Sequence, residues 1–438
     1  MNFTKVCVIG LGYIGLPTAC TFATHGLQVV GMDINAQVIS TLRNGGIHIS
    51  EPGLQFLAQK ALESGRLTIN ENIEDADAFI IAVPTPFYED DNGVHNGQPY
   101  RLADMRAVTA ATESIVEHLR PGNLVVLEST SPPRTTVDLV RPILERSGLK
   151  AGSDFLLAYT PERVLPGKII QELTENARVI GGINKASAEA GRDLYAHFVK
   201  GEIVLTDATT AEMVKLMENT YRDVNIAVAN EFSRLAERFG VDIWEAIAIA
   251  NRHPRVKILN PGPGVGGHCI SVDPWFLVEA APDLAELITS ARHVNDGQPH
   301  FVMNLVKRIL GEDLKGKRIA ALGLAFKPDV DDLRESPAVE VAKLLVTCGA
   351  MVRSYEPYKL DADIPGVNSA ATVEDAIRDV DMLILLVGHR ELKELDPVRV
   401  MELTPARWVI DTVGGWEEQA WIKAGFKLIR LGVGKHEL

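Results

Sequence analysis

The sequence is short of aromatics, of cysteine and of basic charge. Of 438 residues only 6% are Phe, Trp or Tyr, while Gly numbers 36. That balance favours α/β layers with tight glycine turns over a β-sandwich. The four Cys are widely spaced, which argues against a disulfide framework or a metal cluster. No apolar run reaches the ~18 residues of a membrane span. The first such run, Val6 to Ile9, is strand-length and ends in glycines, unlike a signal peptide. With 44 basic residues against 58 acidic, the net charge is -14. Such a balance repels nucleic acid and anionic membrane surfaces, so neither is an expected partner. An anionic small substrate needs local cations around its site. The composition is that of a globular, cytoplasmic protein, and the length fits two to three domains.

What is present is a regular alternation of strand-like and helical stretches. Lys5 to Ile9 is a short apolar strand. Gly10-Leu11-Gly12-Tyr13-Ile14-Gly15 follows, and then a helical stretch to about His25, closed by Gly26. A strand from Gln28 to Met32 leads into Asp33, and further strand-like runs lie at Ala78 to Val83, Leu124 to Leu127 and Phe155 to Ala158. The pattern predicts a parallel, doubly wound sheet. From Ala208 to Phe239 there is neither Gly nor Pro, which predicts one helix of ~48 Å, long enough to bridge domains or build an oligomer interface.

The last third repeats the opening. Arg318 to Leu322 runs into Gly323, Met351 to Tyr355 ends at Glu356, and Asp379-Val380-Asp381 opens Met382 to Val387 as Asp75-Ala76-Asp77 opens Ala78 to Val83. Its glycine fingerprint is broken by Phe326-Lys327-Pro328-Asp329, so this second sheet should not bind a dinucleotide in the usual way. The expected fold class is therefore α/β, with two Rossmann-like doubly wound parallel sheets joined by a helical central domain. The expected bounds are 1–205, 206–312 and 313–438.

Gly10, Gly12 and Gly15 form G-x-G-x-x-G between a strand and a helix, which suits a pyrophosphate at a helix N-terminus. Asp33, 23 residues past Gly10, can hold ribose hydroxyls, and no nearby basic residue invites a 2′-phosphate. NAD is the expected cofactor, with FAD the alternative. Thr85 and Thr130 follow strands and could line the nicotinamide side or simply cap helices. Cys269 lies in the glycine loop Pro261 to His268, just before Asp273-Pro274, an N-cap and first helical position. A loop thiol at a helix start suits a nucleophile. Cys7, Cys20 and Cys348 read as inert core, and His268 as structural. Lys215 and Asn219 share one helix face; spacing alone leaves them between a solvated pair and an oxyanion or proton-handling pair. Glu162, in Thr160-Pro161-Glu162-Arg163 after a strand, could activate water or be ordinary surface charge. The cations from Arg252 to Lys257, with Lys327 and Arg334, could bind a diphosphate.

The motifs V-P-T-P, E-S-T-S-P, P-E-R, E-x-x-K-x-x-x-N, G-G-H-C-x-x-V-D-P and F-K-P-x-x-x-D-x-R-E-S-P occur in that order. Over nearly its whole length the chain resembles the UDP-glucose/GDP-mannose dehydrogenase family. The runs Asn251 to Arg255 and Pro261 to Cys269 look most like its UDP-N-acetyl-D-mannosamine branch. The resemblance implies an N-terminal NAD-binding domain, a central domain for catalysis and homodimerisation, and a C-terminal domain for the UDP-sugar. It implies a four-electron oxidation of the sugar C6 alcohol to a uronate, for surface polysaccharide, through a Cys269 thiohemiacetal and thioester. Lys215 and Asn219 would handle the oxyanion or proton, and Glu162 and Asp273 the water. Tyr13, Ile14, Asp33, Thr85, Thr130 and Arg334 match NAD contacts. Arg163, Val164, Arg222, His253, Arg255, Gly266, Phe326 and Lys327 match contacts to the nucleotide sugar. One departure is Val413, after the strand Trp408 to Asp411, where relatives commonly carry a basic residue. The alternatives are the same reaction on UDP-N-acetylglucosamine or UDP-glucose, a two-electron β-hydroxyacid-type dehydrogenase, and a non-catalytic binder of NAD and nucleotide sugar.

Overall fold

Runs of four or five apolar residues flanked by turns form strands buried on both faces, as parallel sheets require. In the computed structural model, which describes residues 2–434, they build two sheets in two units. The first unit comprises Met1–Glu218 with Trp275–Leu284, and the second Asn219–Pro274 with Ala285–Leu438. Each unit takes part of the expected central segment.

The first unit carries β1 (Lys5–Ile9), β2 (Gln28–Met32), β3 (Leu67–Asn70), β4 (Ala78–Ile81), β5 (Phe87–His95), β6 (Gln98–Ala103), β7 (Leu124–Leu127), β8 (Leu156–Tyr159), β9 (Arg178–Gly182) and β10 (Ile203–Asp207). Eight of them pair in the order β10-β9-β8-β7-β4-β1-β2-β3. The expectation of an all-parallel sheet holds only as far as β8. There β9 pairs antiparallel, through Ala158↔Gly182 and Tyr159↔Gly181, and β10 runs parallel to β9. The antiparallel hairpin β5–β6 was not foreseen. The second unit holds β11 (Arg318–Leu322), β12 (Met351–Tyr355), β13 (Val367–Ser369), β14 (Met382–Leu385), β15 (Trp408–Asp411) and β16 (Lys427–Arg430). They lie all parallel in the order β13-β12-β11-β14-β15-β16, the doubly wound arrangement in which strand order reverses beside the first strand.

The internal repeat has a physical counterpart. Asp77 accepts from the backbone N–H of Thr4 at 2.7 Å and of Lys5 at 2.9 Å, and Asp381 accepts from Arg318 N at 2.8 Å. Each aspartate thereby satisfies amides at the entry of the first strand of its sheet. The helix Gly15–Thr24 buries nine of its ten residues, and Gly26 leaves it with φ +105, a left-handed exit that glycine takes without strain. The helix Ala208–Phe239 runs unbroken for 32 residues, as the missing Gly and Pro predict. Of the cysteines read as core, Cys7 and Cys20 are buried, and burial pushes their thiols up to about 11 and about 12. Cys348 differs: it follows the helix Pro337–Thr347 as its capping residue and is half-buried, because the helix ends one residue before it.

Candidate active site

In the first unit the fingerprint turn follows β1. Gly10 adopts φ +91, and a Cβ there would lie 2.6 Å from the Ala82 carbonyl oxygen. A Cβ on Gly15 would stand 1.8 Å from the Gly10 carbonyl oxygen, so only glycine lets strand and helix close together. Gly12 is different, since a Cβ there meets nothing within 4 Å. The first and third glycines serve the fold, while the second leaves an open cradle before a helix N-terminus. That is the shape a dinucleotide pyrophosphate needs, and the residues present therefore fit NAD. Asp33 closes the cradle: its Oδ2 accepts from Leu11 N at 2.8 Å and its Oδ1 from Asn35 N at 2.8 Å. Tyr13 and Ile14 are half-buried at the start of the helix. Thr85 and Thr130 come together, the Thr85 hydroxyl donating to the Thr130 carbonyl at 2.7 Å.

Beyond β7 and β8 lies a buried ionic cluster that the sequence did not reveal. Arg178, the first residue of β9, donates from Nη1 to Glu128 Oε1 at 3.2 Å and to Thr160 Oγ1 at 3.3 Å, and from Nη2 to Glu162 Oε2. Its guanidinium lies 4.4 Å from the Tyr195 ring centre. The Tyr195 hydroxyl donates to Glu128 Oε1 at 3.1 Å. Glu162 also accepts from Arg163 N at 2.7 Å. Burial pushes the Glu128 carboxyl up to about 7, opposed by the Arg178 charge and assisted by that of Glu162. Burial works against the Arg178 cation, but Glu162 and Glu128 outweigh it and its pKa rises. Glu162 is thus an oriented carboxylate rather than surface charge. The available signal was a charge abutting an apolar run, Glu128 after Leu124–Leu127 and Arg178 before Val179–Ile180. Arg163 is spoken for as well, paired with Glu218 at 2.7 Å and bonded to the Ala177 carbonyl. Val164 packs against the core. Lys215 is 7% exposed, which takes it out of the solvated-pair reading.

In the second unit Asn219 donates to Asp273 Oδ2 at 2.6 Å, and Asp273 is 1% exposed. The helix here runs Asp273–Ala280, so Asp273 is its first residue rather than the cap outside it. Cys269 is exposed on the turn before this helix, its carbonyl accepting from Val272 N at 3.1 Å and Asp273 N at 2.8 Å. The loop's glycines have a structural cause. A Cβ on Gly264 would lie 2.8 Å from Pro337, one on Gly266 2.3 Å from the Glu335 carbonyl oxygen, and one on Gly267 2.7 Å from the Phe326 ring. The broken fingerprint of the second sheet is what the thiol loop packs against. Gly267 N also donates to the Arg334 carbonyl at 3.1 Å. Arg334 pairs through Nε and Nη2 with Asp332, at 2.8 Å each, and His268 faces the same carboxylate at 3.5 Å. Lys327 Nζ lies 5.5 Å from the Phe326 ring centre. His253 and Arg255 are exposed on a loop that Asn251 closes through Ile258 N at 2.7 Å and Ile258 O at 2.9 Å, and Arg222 is exposed on the long helix. Val413 sits in apolar surroundings near Gly388. Glu356 occupies the place Asp33 holds in the first sheet, accepting from Leu324 N at 2.7 Å, Ala325 N at 2.9 Å and His389 Nε2 at 3.0 Å. Its carboxylate covers the turn amides, as that of Asp33 covers Leu11 N in the first sheet.

Comparison with known proteins matches 4–199 to the NAD binding domain, 209–297 to the central domain and 320–418 to the UDP binding domain of one family. The chain belongs to the UDP-glucose/GDP-mannose dehydrogenase family. It is an NAD-dependent oxidoreductase, as the dinucleotide cradle fits. A UDP-N-acetyl-D-mannosamine dehydrogenase of Methanococcus maripaludis is 45% identical over 437 residues, covering 99% of this chain and 98% of that one. An NDP-N-acetyl-D-galactosaminuronic acid dehydrogenase of Ralstonia solanacearum is 46% identical over 426 residues, covering 95% and 97%. Among solved structures, a UDP-D-ManNAc dehydrogenase from Pyrococcus horikoshii matches with a TM-score of 0.88 at 39% identity, covering 99% and 100%.

The glycine geometry makes a separable prediction. Gly12→Ala should keep the melting temperature within about 2 °C and weaken NADH binding at least tenfold by fluorescence titration. Gly15→Ala should unfold the first unit. Equal behaviour of the two variants in both assays would contradict the cradle.

Proposed function

We propose that this dehydrogenase oxidises the C6 alcohol of UDP-N-acetyl-D-mannosamine to the uronate, releasing four electrons to two NAD+, for surface polysaccharide synthesis. The observation that carries the sugar assignment is full-length identity of 45% to an enzyme of that name. When bound, NAD+ accepts the hydrogen that leaves C6 as hydride in each oxidation.

The chain's own residues do the rest. Lys215 takes the alcohol proton or steadies the oxyanion, with Asn219 beside it on the same helix face. The Cys269 thiolate adds to the aldehyde carbon, and the new C–S bond makes a thiohemiacetal. The second oxidation leaves a thioester. Water oxygen then bonds to that carbonyl carbon while Glu162, with Asp273 and Thr130, orients it and takes its proton. The C–S bond breaks and the thiolate returns. A covalent intermediate keeps the aldehyde from escaping. Tyr13, Ile14, Asp33, Thr85, Thr130 and Arg334 are assigned to NAD. Arg163, Val164, Arg222, His253, Arg255, Gly266, Phe326 and Lys327 are assigned to the nucleotide sugar. We place the protein in the cytoplasm, where thiols stay reduced.

The same reading makes it a homodimer through the long helix. Tyr221, Val228, Phe232, Leu235 and Phe239 are exposed at spacings of seven, four, three and four, an apolar stripe along one face. Sedimentation should give twice the chain mass of 47.8 kDa; a monomer at micromolar concentration would contradict it.

The sugar is tested by kcat/KM on a panel of UDP-N-acetylmannosamine, UDP-N-acetylgalactosamine, UDP-N-acetylglucosamine and UDP-glucose. The mannosamine should lead by at least tenfold. The Ralstonia relative makes the galactosamine the informative competitor, and its lead would overturn the assignment. Cys269→Ser should yield little uronate, and normal acid production by that variant would remove the thioester.

A further inference from the structure

The proposed mechanism makes no use of Arg178 or Glu128, although together they form a buried ionic group beside a residue that it does use. The side chain of Arg178 is 4% exposed, that of Glu128 0% and that of Glu162 8%. One guanidinium here serves two carboxylates. A pair held for stability alone needs one charge of each sign, and a second buried carboxylate adds desolvation cost without a cation of its own. Glu128 already satisfies Arg178, with Thr160 on the same Nη1 and the Tyr195 ring stacked beneath. Those partners hold the guanidinium from the core side. Its remaining edge meets Glu162, beyond the end of β8 where open α/β sheets bind their ligands.

We propose that Arg178 is the positioning residue of Glu162: its guanidinium, held in place by Glu128 and Tyr195, fixes the aim of the Glu162 carboxylate for thioester hydrolysis. The inference rests on the role given to Glu162 above. In that step water oxygen bonds to the thioester carbonyl carbon, the water proton passes to Glu162, and the C–S bond breaks to return the Cys269 thiolate. Nη2 binds Glu162 Oε2, and Arg163 N binds Oε1 at 2.7 Å. Two donors on two oxygens leave the carboxylate one orientation. The charged and titratable groups around it are Arg178 from β9, Glu128 after β7, Tyr195 from the helix Lys185–Tyr195, and Arg163 with its partner Glu218.

The test uses Arg178→Lys and Arg178→Gln in the full chain, with Glu162→Gln as control and UDP-N-acetylmannosamine with NAD+ as substrates. Rapid mixing gives the first-turnover burst of NADH, and intact-mass spectrometry gives the sugar adduct on Cys269. Both Arg178 variants should keep the burst, lose about tenfold or more in steady-state kcat and accumulate the adduct, Lys less than Gln. A merely structural role would shrink burst and steady state together and leave no adduct. Should the Gln variant fail to fold, the Lys variant carries the test, because it keeps the charge but not the fork that reaches both carboxylates. Adduct in Glu162→Gln but in neither Arg178 variant overturns this inference alone. No adduct in Glu162→Gln overturns the role of Glu162 itself.

Discussion

A parallel strand buried on both faces can carry polar chemistry only at its ends, and the first unit follows from that constraint. The strand interiors are fully committed to the core: Val6 to Ile9, Ala78–Ile81, Leu124–Leu127 and Leu156–Tyr159 are buried throughout. Every residue placed in the chemistry of this unit lies at a strand's end, in a turn or on a helix. Gly10 follows β1, Asp33 follows β2, Thr85 comes just after β4, Glu128 and Thr130 follow β7, and Glu162 follows β8. The switch in strand order lies beside β1, where the space at Gly12 fits a dinucleotide.

The second unit uses the same scaffold for a different end. Its first turn has the same crowding, with a Cβ on Gly323 lying 2.6 Å from Val387. Its acid has been turned inward: Glu356 caps the turn amides and binds the buried His389. His389 Nδ1 accepts from Asp329 N at 2.9 Å, which leaves Nε2 to donate to Glu356. The turn is thereby filled from within, and the segment Phe326 to Glu335 is left to pack against the glycine loop that carries Cys269. The same scaffold thus presents an open cradle at the first sheet and a seat for the Cys269 loop at the second.

Much of this was legible in the sequence because local rules dominate there. Apolar runs between glycines gave the strands, and 32 residues without Gly or Pro gave the long helix to the residue. The reversed β9 and β10 were not legible, since strand direction depends on what the connecting helix packs against. The crowding behind Gly266 was hidden for a similar reason: its cause, Glu335, lies 69 positions away. The glycines flagged a close approach but not its target. Arg178 was missed because one arginine at a strand entry looks like surface charge until three chain segments bring Glu128, Glu162 and Tyr195 around it.

The central claim is a double oxidation held on Cys269, and counting electrons tests it most directly. Limiting UDP-N-acetylmannosamine, excess NAD+ and purified protein should give two NADH per sugar, with no aldehyde trapped by hydroxylamine. One NADH per sugar, with the aldehyde released, would contradict the account.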